Sequence, residues 1–179
     1  MATVPSFTTF VAGAILTAAQ LNTNIRDAGN FWLARPLFIG RATSGQSLTN
    51  ITWTDIDLGV EDIDRDGGHS TVTNTARYTS PTAGYLLLAG GVSFVVNATG
   101  MRGARWALNG TAINGAGAYI QAVAATDATV VAARTIFQLV NGTPDYVTLQ
   151  GFQRSGGALS TSAVAEAQSS MHVLWVSTA

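Results

Sequence analysis

Residues 84–113, GYLLLAGGVSFVVNATGMRGARWALNGTAI, decide the fold. Tyr85 to Ala98 runs without a charge and is rich in Leu, Val and Phe. A half-exposed strand would alternate, so this run reads as a strand apolar on both faces. Asn97 to Gly100 supplies turn residues. Met101 to Leu108 then alternates, with Arg102 and Arg105 among small and aromatic residues. Asn109-Gly110 is a strong hairpin signal, because both residues accept the positive φ that a tight two-residue turn requires. Two antiparallel strands and the start of a third therefore lie in one stretch.

Outward from that stretch, strand signals recur. Leu37 to Thr43 predicts a first strand, and Ile51, Trp53, Ile56 and Leu58 a second with a slip in it. Ser44 to Thr49 between them reads as a polar loop. Glu61 to His69 holds four of the ten acidic residues and reads as a loop, and Ser70 to Thr79 as an edge strand. Further strands are expected over 119–124, Thr129–Val140, Asp145–Arg154 and Met171–Val176. Turns are expected over 126–128, Asn141–Pro144 and Ser155–Gly157. The fold class is all-β, a sandwich or barrel.

The segment before it is different. Met1 to Gly13 is an extended arm. Thr17-Ala-Ala-Gln20 is a capping box, with Leu16 and Leu21 placed as a hydrophobic staple. Leu21, Ile25, Ala28 and Trp32 are at helical spacing, and Pro36 ends the helix. The chain divides into an arm and helix over 1–36 and a β domain over 37–179. No other helix is expected to cover this one, so its stripe rests on the β domain, on its own copies or on another protein.

Composition narrows the function. The chain has 179 residues, a net charge of −1 and no Cys. Nothing points to nucleic acid or a membrane surface, and disulfides and thiol chemistry are excluded. Only 11% of residues are charged and 47% are hydrophobic, against about 25% charged in an average soluble domain. A monomer of this size would leave apolar surface in water, so self-association is expected. No uninterrupted apolar run is long enough for a spanning helix. Phe7 to Ala19 lacks the basic start of a signal peptide, so synthesis in the cytoplasm is expected.

Asp62-Ile-Asp64-Arg-Asp66-Gly67 matches the first half of a calcium loop. The match fails at position 12, where Thr73 stands in place of a bidentate Glu. A solvated acidic turn is the first expectation and calcium the alternative; no other cofactor is expected. His69 and His172 are far apart in sequence, and a zinc or iron site would need at least one more ligand from carboxylates, so unrelated polar and packed positions are expected. No G-x-S-x-G elbow occurs. Asp55, Asp57 and the Glu61-Asp62 pair offer carboxylates for glycosidase chemistry, with nothing in their spacing to fix a separation. Trp53, Tyr78, Tyr119, Tyr146 and Trp175 are candidates for a sugar groove or for core and subunit contacts.

The order of elements from Phe38 to Val176 resembles the jelly roll of the tumour necrosis factor (TNF) and complement-head superfamily. The resemblance is carried by Trp53-Thr-Asp-Ile-Asp-Leu58, Tyr78-Thr-Ser-Pro-Thr-Ala-Gly-Tyr85, Val92-Ser-Phe-Val95 and Arg105-Trp-Ala-Leu-Asn-Gly110. Gly142-Thr-Pro-Asp-Tyr-Val-Thr-Leu149 and Met171-His-Val-Leu-Trp-Val176 complete it. It implies a homotrimer with aromatic residues buried near a threefold axis, and a protein that binds and does not catalyse. With the low charge it makes Phe94, Phe137, Tyr146 and Trp175 candidates for the trimer core.

Residues 9–27, TFVAGAILTAAQLNTNIRD, resemble the leader of small virion proteins of tailed phages that infect high-GC bacteria. That resemblance implies a surface knob on a virion, decorating the capsid or tipping a head or tail fibre. Leu21, Ile25, Phe31 and Trp32 would anchor it to other capsid or tail proteins. A collagen-like or coiled-coil shaft is missing, which favours a short appendage. A receptor- or carbohydrate-binding tail module meeting a host surface glycan is the alternative, with a polysaccharide depolymerase behind it.

Overall fold

The computed structural model describes residues 4–122 and 128–179. Val123 and Ala124 of the expected strand, and Thr126 and Asp127 of the expected turn, lie outside the described residues.

A helix comes first, as α1 (Ala18–Leu21), a π-helical segment (Asn22–Asp27) and α2 (Ala28–Leu33). The strands come next: β1 (Leu37–Arg41), β2 (Ser47–Leu48), β3 (Thr54–Asp55), β4 (Val60–Asp64) and β5 (Arg77–Thr79). The long central strands are β6 (Gly84–Phe94) and β7 (Met101–Leu108), then the short β8 (Thr111–Ala112) and β9 (Ala118–Gln121). β10 (Thr129–Val140), β11 (Tyr146–Gln153), β12 (Leu159–Ser160) and β13 (Ser170–Ser177) complete the order.

These pair, all antiparallel, into a jelly-roll sandwich. One sheet has five strands in the order β10-β6-β13-β1-β4. The other runs β3-β11-β7-β8, with β5 also pairing β11 and β9 also pairing β7. β12 and β2 form a small ribbon beside them. The Asn109-Gly110 hairpin forms as expected, with φ of 51° and 77°.

The core lies between the sheets. Phe38, Leu86, Leu88, Phe94, Met171 and Val173 from the five-stranded sheet belong to one cluster with Trp106, Val147 and Leu149 from the other. Ile56 and Leu58 join it from the loop after β3. The sheets approach closely at Gly151, where a Cβ would stand 3.0 Å from Ile56 and 3.1 Å from Val92. The buried indoles have partners: Trp106 Nε1 donates to the Arg134 carbonyl (2.9 Å) and Trp175 Nε1 to the Ala83 carbonyl (3.0 Å).

Several sequence expectations change. The edge strand Ser70–Thr79 shortens to Arg77–Thr79, the loop Ser44–Thr49 holds β2, and β6 and β7 fall in different sheets. Three further readings change as well. The run Tyr85–Ala98 is not covered on both faces by its own chain: β6 ends at Phe94, and Tyr85, Leu87 and Ala89 point away from the core. Glu61 to Asp64 is strand, not loop, because it pairs with β1 as Ile63↔Ile39 and Glu61↔Gly40. The expected second strand shortens to Thr54–Asp55, where Ile51 turns the chain at φ 58°.

The helix keeps its capping box: Gln20 N–H donates to Thr17 Oγ1 (3.2 Å) and Thr17 N–H to Gln20 Oε1 (2.9 Å). The π-helical segment then adds a residue to one turn and rotates the turns beyond it. The buried residues become Asn24, Ala28 and Phe31, while Leu21, Ile25 and Trp32 stay partly or largely exposed. Asn24 ties the arm to the helix. Its Oδ1 accepts Thr8 N–H (2.7 Å), and its Nδ2 donates to Thr8 Oγ1 and the Gln20 carbonyl, both 2.8 Å. Phe31 belongs to the sandwich core and meets Trp175 edge-on at 4.9 Å. Residues 1–36 thus share a core with the β domain through Phe31.

Candidate interaction surfaces

The outer face of the five-stranded sheet is apolar across four strands. Register places Leu37 beside Leu174, Leu174 beside Leu87, and Leu87 beside Phe137. Residues paired this way share a face. The core takes the opposite parity, Phe38, Val173 and Leu88, so this row points outward. The three leucines are half-buried and Phe137 is 64% exposed. A parallel row brings Ile63, Ile39, His172 and Ala89 together, and another pairs Tyr85 with Leu139. Leu37, Ile39, Leu87, Ala89 and Leu174 line a shallow depression of about 230 Å³ there.

The four residues proposed for a trimer core do not come together. Phe94 and Trp175 are buried inside the protomer, at 0% and 2% exposure, and cannot also face another copy. Phe137 is on the outer apolar face. Tyr146 lies on the other sheet, beneath the Arg77 guanidinium at 4.1 Å. Leu37, Leu87 and Leu174 escaped the sequence reading, although the Leu86-Leu87-Leu88 run, apolar on both parities, carried their signal.

The outer face of the six-stranded sheet is built differently. Trp53, Tyr119 and Phe152 cluster there, with ring centroids 5.2–6.0 Å apart. The Arg105 guanidinium lies over Trp53 at 4.1 Å. Its Nε donates to Gln150 Oε1 (2.7 Å), Gln150 Nε2 to Asp55 Oδ1 (2.8 Å), and Thr148 Oγ1 to the same oxygen (2.9 Å). Burial pulls the Arg105 pKa down, and the fields of Tyr119 and Asp55 oppose that shift. Of the five aromatics considered for a sugar groove, Trp53, Tyr119 and Tyr146 reach this sheet's outer side, while Tyr78 and Trp175 are core. Burial, then the nearby charges of Asp64 and Asp66, drives the Tyr78 hydroxyl far above its ordinary pKa.

The acidic segment builds no metal cage. Asp62 is clamped by Arg41 Nε, at 3.0 Å to Oδ1 and 2.8 Å to Oδ2. Asp64 accepts Gly68 N–H (3.1 Å) and His69 N–H (2.9 Å). Asp62 lies on β4 and is held by Arg41, so the three aspartates do not gather on one ion. Among the described residues no three His, Cys, Asp or Glu side chains gather to hold an ion. The His69 ring is buried against Phe38 at 4.9 Å, with Nδ1 2.8 Å from Glu61 Oε1 and Nε2 2.8 Å from the Thr75 carbonyl. His172 is on the opposite side of the sheet. Asp57 Oδ1 accepts the Thr75 hydroxyl (2.6 Å).

The N-terminal segment carries a third apolar surface. Phe7, Val11, Ile15, Ile25 and Leu33 are each 66–90% exposed. Among the described residues no helix is long and apolar enough to cross a membrane.

No family model matches the sequence, and no curated protein matches it. Solved structures do resemble it. Murine APRIL at pH 5.0 superposes with a TM-score of 0.57 at 10% identity, covering 78% of this chain and 98% of that one. Murine APRIL at pH 8.5 gives 0.55 at 12% identity over the same shares. Eiger TNF from S. frugiperda gives 0.54 at 12% identity, covering 81% of this chain and 96% of that one. At such identities the likeness is one of fold: the chain is a TNF-like jelly roll.

Proposed function

We propose that the protein is a structural, non-enzymatic component of a tailed-phage virion: a homotrimeric surface knob held to the particle by its N-terminal segment. The observation that carries the assembly is the outward row Leu37–Leu174–Leu87–Phe137. An apolar face across four strands is a poor surface for a monomer in water and a good one for a second copy. Threefold closure is what the TNF-like fold suggests, and it removes the face from solvent without leaving an open chain of contacts. The virion reading rests on the leader resemblance, and the exposed apolar side chains from Phe7 to Leu33 support attachment through that segment.

Native mass spectrometry of the full chain should give three times 18.5 kDa. Leu87→Glu places a charge in the middle of the row and should give monomer with the secondary structure retained. A stable monomer from the unaltered chain overturns the trimer. Labelling of intact particles with an antibody to the knob tests the virion reading, and particles without the protein would end it.

A further inference from the structure

We infer that the outer face of the six-stranded sheet is a saccharide-binding site, centred on Tyr119 and the Arg105–Gln150–Asp55 ladder. The inference stands on that face alone and not on the trimer or the virion.

Tyr119 is 58% exposed, yet its ring is fixed edge-on by Trp53 at 5.7 Å and Phe152 at 6.0 Å. A ring already held in place offers a flat apolar surface without a further ordering cost on binding. Gly103 makes the arrangement possible: a Cβ there would stand 2.9 Å from the Tyr119 ring and 3.1 Å from Trp53.

Beside the rings, the polar groups are oriented but not exhausted. Arg105 uses Nε on Gln150 and holds its Cζ 4.1 Å from the Trp53 ring centroid, while its terminal nitrogens have no acceptor among the described residues. Asp55 takes both of its side-chain hydrogen bonds on Oδ1 and leaves Oδ2 without a donor among the described residues. The hidden part of the ladder fixes the rest, since Thr148 is fully buried and Gln150 is 7% exposed. The face therefore presents adjacent donors and a carboxylate acceptor next to an exposed ring. A pyranose matches this pattern: its C–H face suits the ring, and each rim hydroxyl both donates and accepts. Few, fixed polar groups around an apolar surface are the usual form of a small-ligand site. A phosphate backbone suits it less, because Asp55 stands inside the patch and the chain as a whole carries −1.

The test titrates the full chain with cellopentaose, chitopentaose and a galacturonic acid trimer, read by calorimetry and saturation-transfer NMR. At least one should bind with a Kd below about 1 mM. Tyr119→Ala and Arg105→Ala should each weaken it about tenfold or more. Val164→Ser, at an exposed position outside both sheet faces, should leave it unchanged. Native mass of each variant keeps the assembly question separate. If none of the three sugars binds by about 10 mM, or if Tyr119→Ala binds as the parent does, the site is overturned. Binding of single-stranded oligothymidylate at this face in place of the sugars would overturn it as well.

Discussion

Arg102 shows how one residue can hold a turn. It is fully buried, and its terminal nitrogens donate to three carbonyls: Thr99 (2.9 Å) and Met101 (3.0 Å) from Nη1, and Asn97 (2.9 Å) from Nη2. Burial pulls its pKa down, but a guanidinium stays charged where an amine would not. Arg102→Met removes the side-chain donor from the Asn97 and Thr99 carbonyls, while Met101 keeps the Arg154 N–H, and should destabilise the fold by about 2–4 kcal/mol in urea melts. Arg102→Lys should not restore it, since a single ammonium cannot span the three acceptors. Asp145 works at the surface. Its carboxylate accepts Asn141 N–H and, from side-chain amides, Asn109 and Asn141. The Asn141 backbone bond, then the Asn109 bond, holds its pKa below the ordinary 3.8. A lowered folded value means stabilisation that is present above 3.8 and lost as pH falls through the folded value. The stability gap between parent and Asp145→Ala should therefore be constant near neutrality and shrink only in that acid range.

At the scale of elements, the helix and β4 separate what a pattern can reveal from what it cannot. The capping box was legible because it is local: two side chains, three residues apart, closing on each other's backbone. The burial phase of the helix was not, because it depends on the π-helical turn, which no spacing rule signals. Phe31→Ala should cost about 3–4 kcal/mol, as expected of a core aromatic, and equilibrium denaturation measures it. A docking residue outside the core would cost little in the same melt. The acidic segment was misread for a related reason. Its composition suits a loop, but pairing with β1 makes it an edge strand, where charge also discourages further pairing. Thermal melts in calcium and in chelator should coincide within about one degree. The central strands were legible because alternation, the long apolar run and Asn-Gly all agree. The outer aromatic site was only half legible: the rings were visible, but the contact of Arg105 with Trp53 depends on β7 pairing β11.

Over the whole molecule, the two sheets turn opposite chemistries outward, leucines and Phe137 on one and rings with an Arg–Gln–Asp ladder on the other. The proposed self-association through the first would leave the second free to meet a ligand. The N-terminal segment adds a surface distinct from both. Replacing Val11, Ile15, Ile25 and Leu33 together by Ser should leave the melt and the proposed trimer intact, because none is buried. On the proposed virion reading it should abolish rejoining to particles that lack the protein, measured by sedimentation. Retained binding would overturn the proposed attachment through this segment. The position of β13 has a consequence in time. It lies between β6 and β1, so it joins the β6–β10 ribbon to the β1–β4 ribbon. Among the described strands it is also the last in chain order. Until it pairs, the five-stranded sheet exists only as two unconnected halves with their apolar sides open. The sheet therefore closes only through long-range pairing with β13, a step of milliseconds to seconds. A nascent chain stalled after Ser169 should stay protease-sensitive, however long it waits.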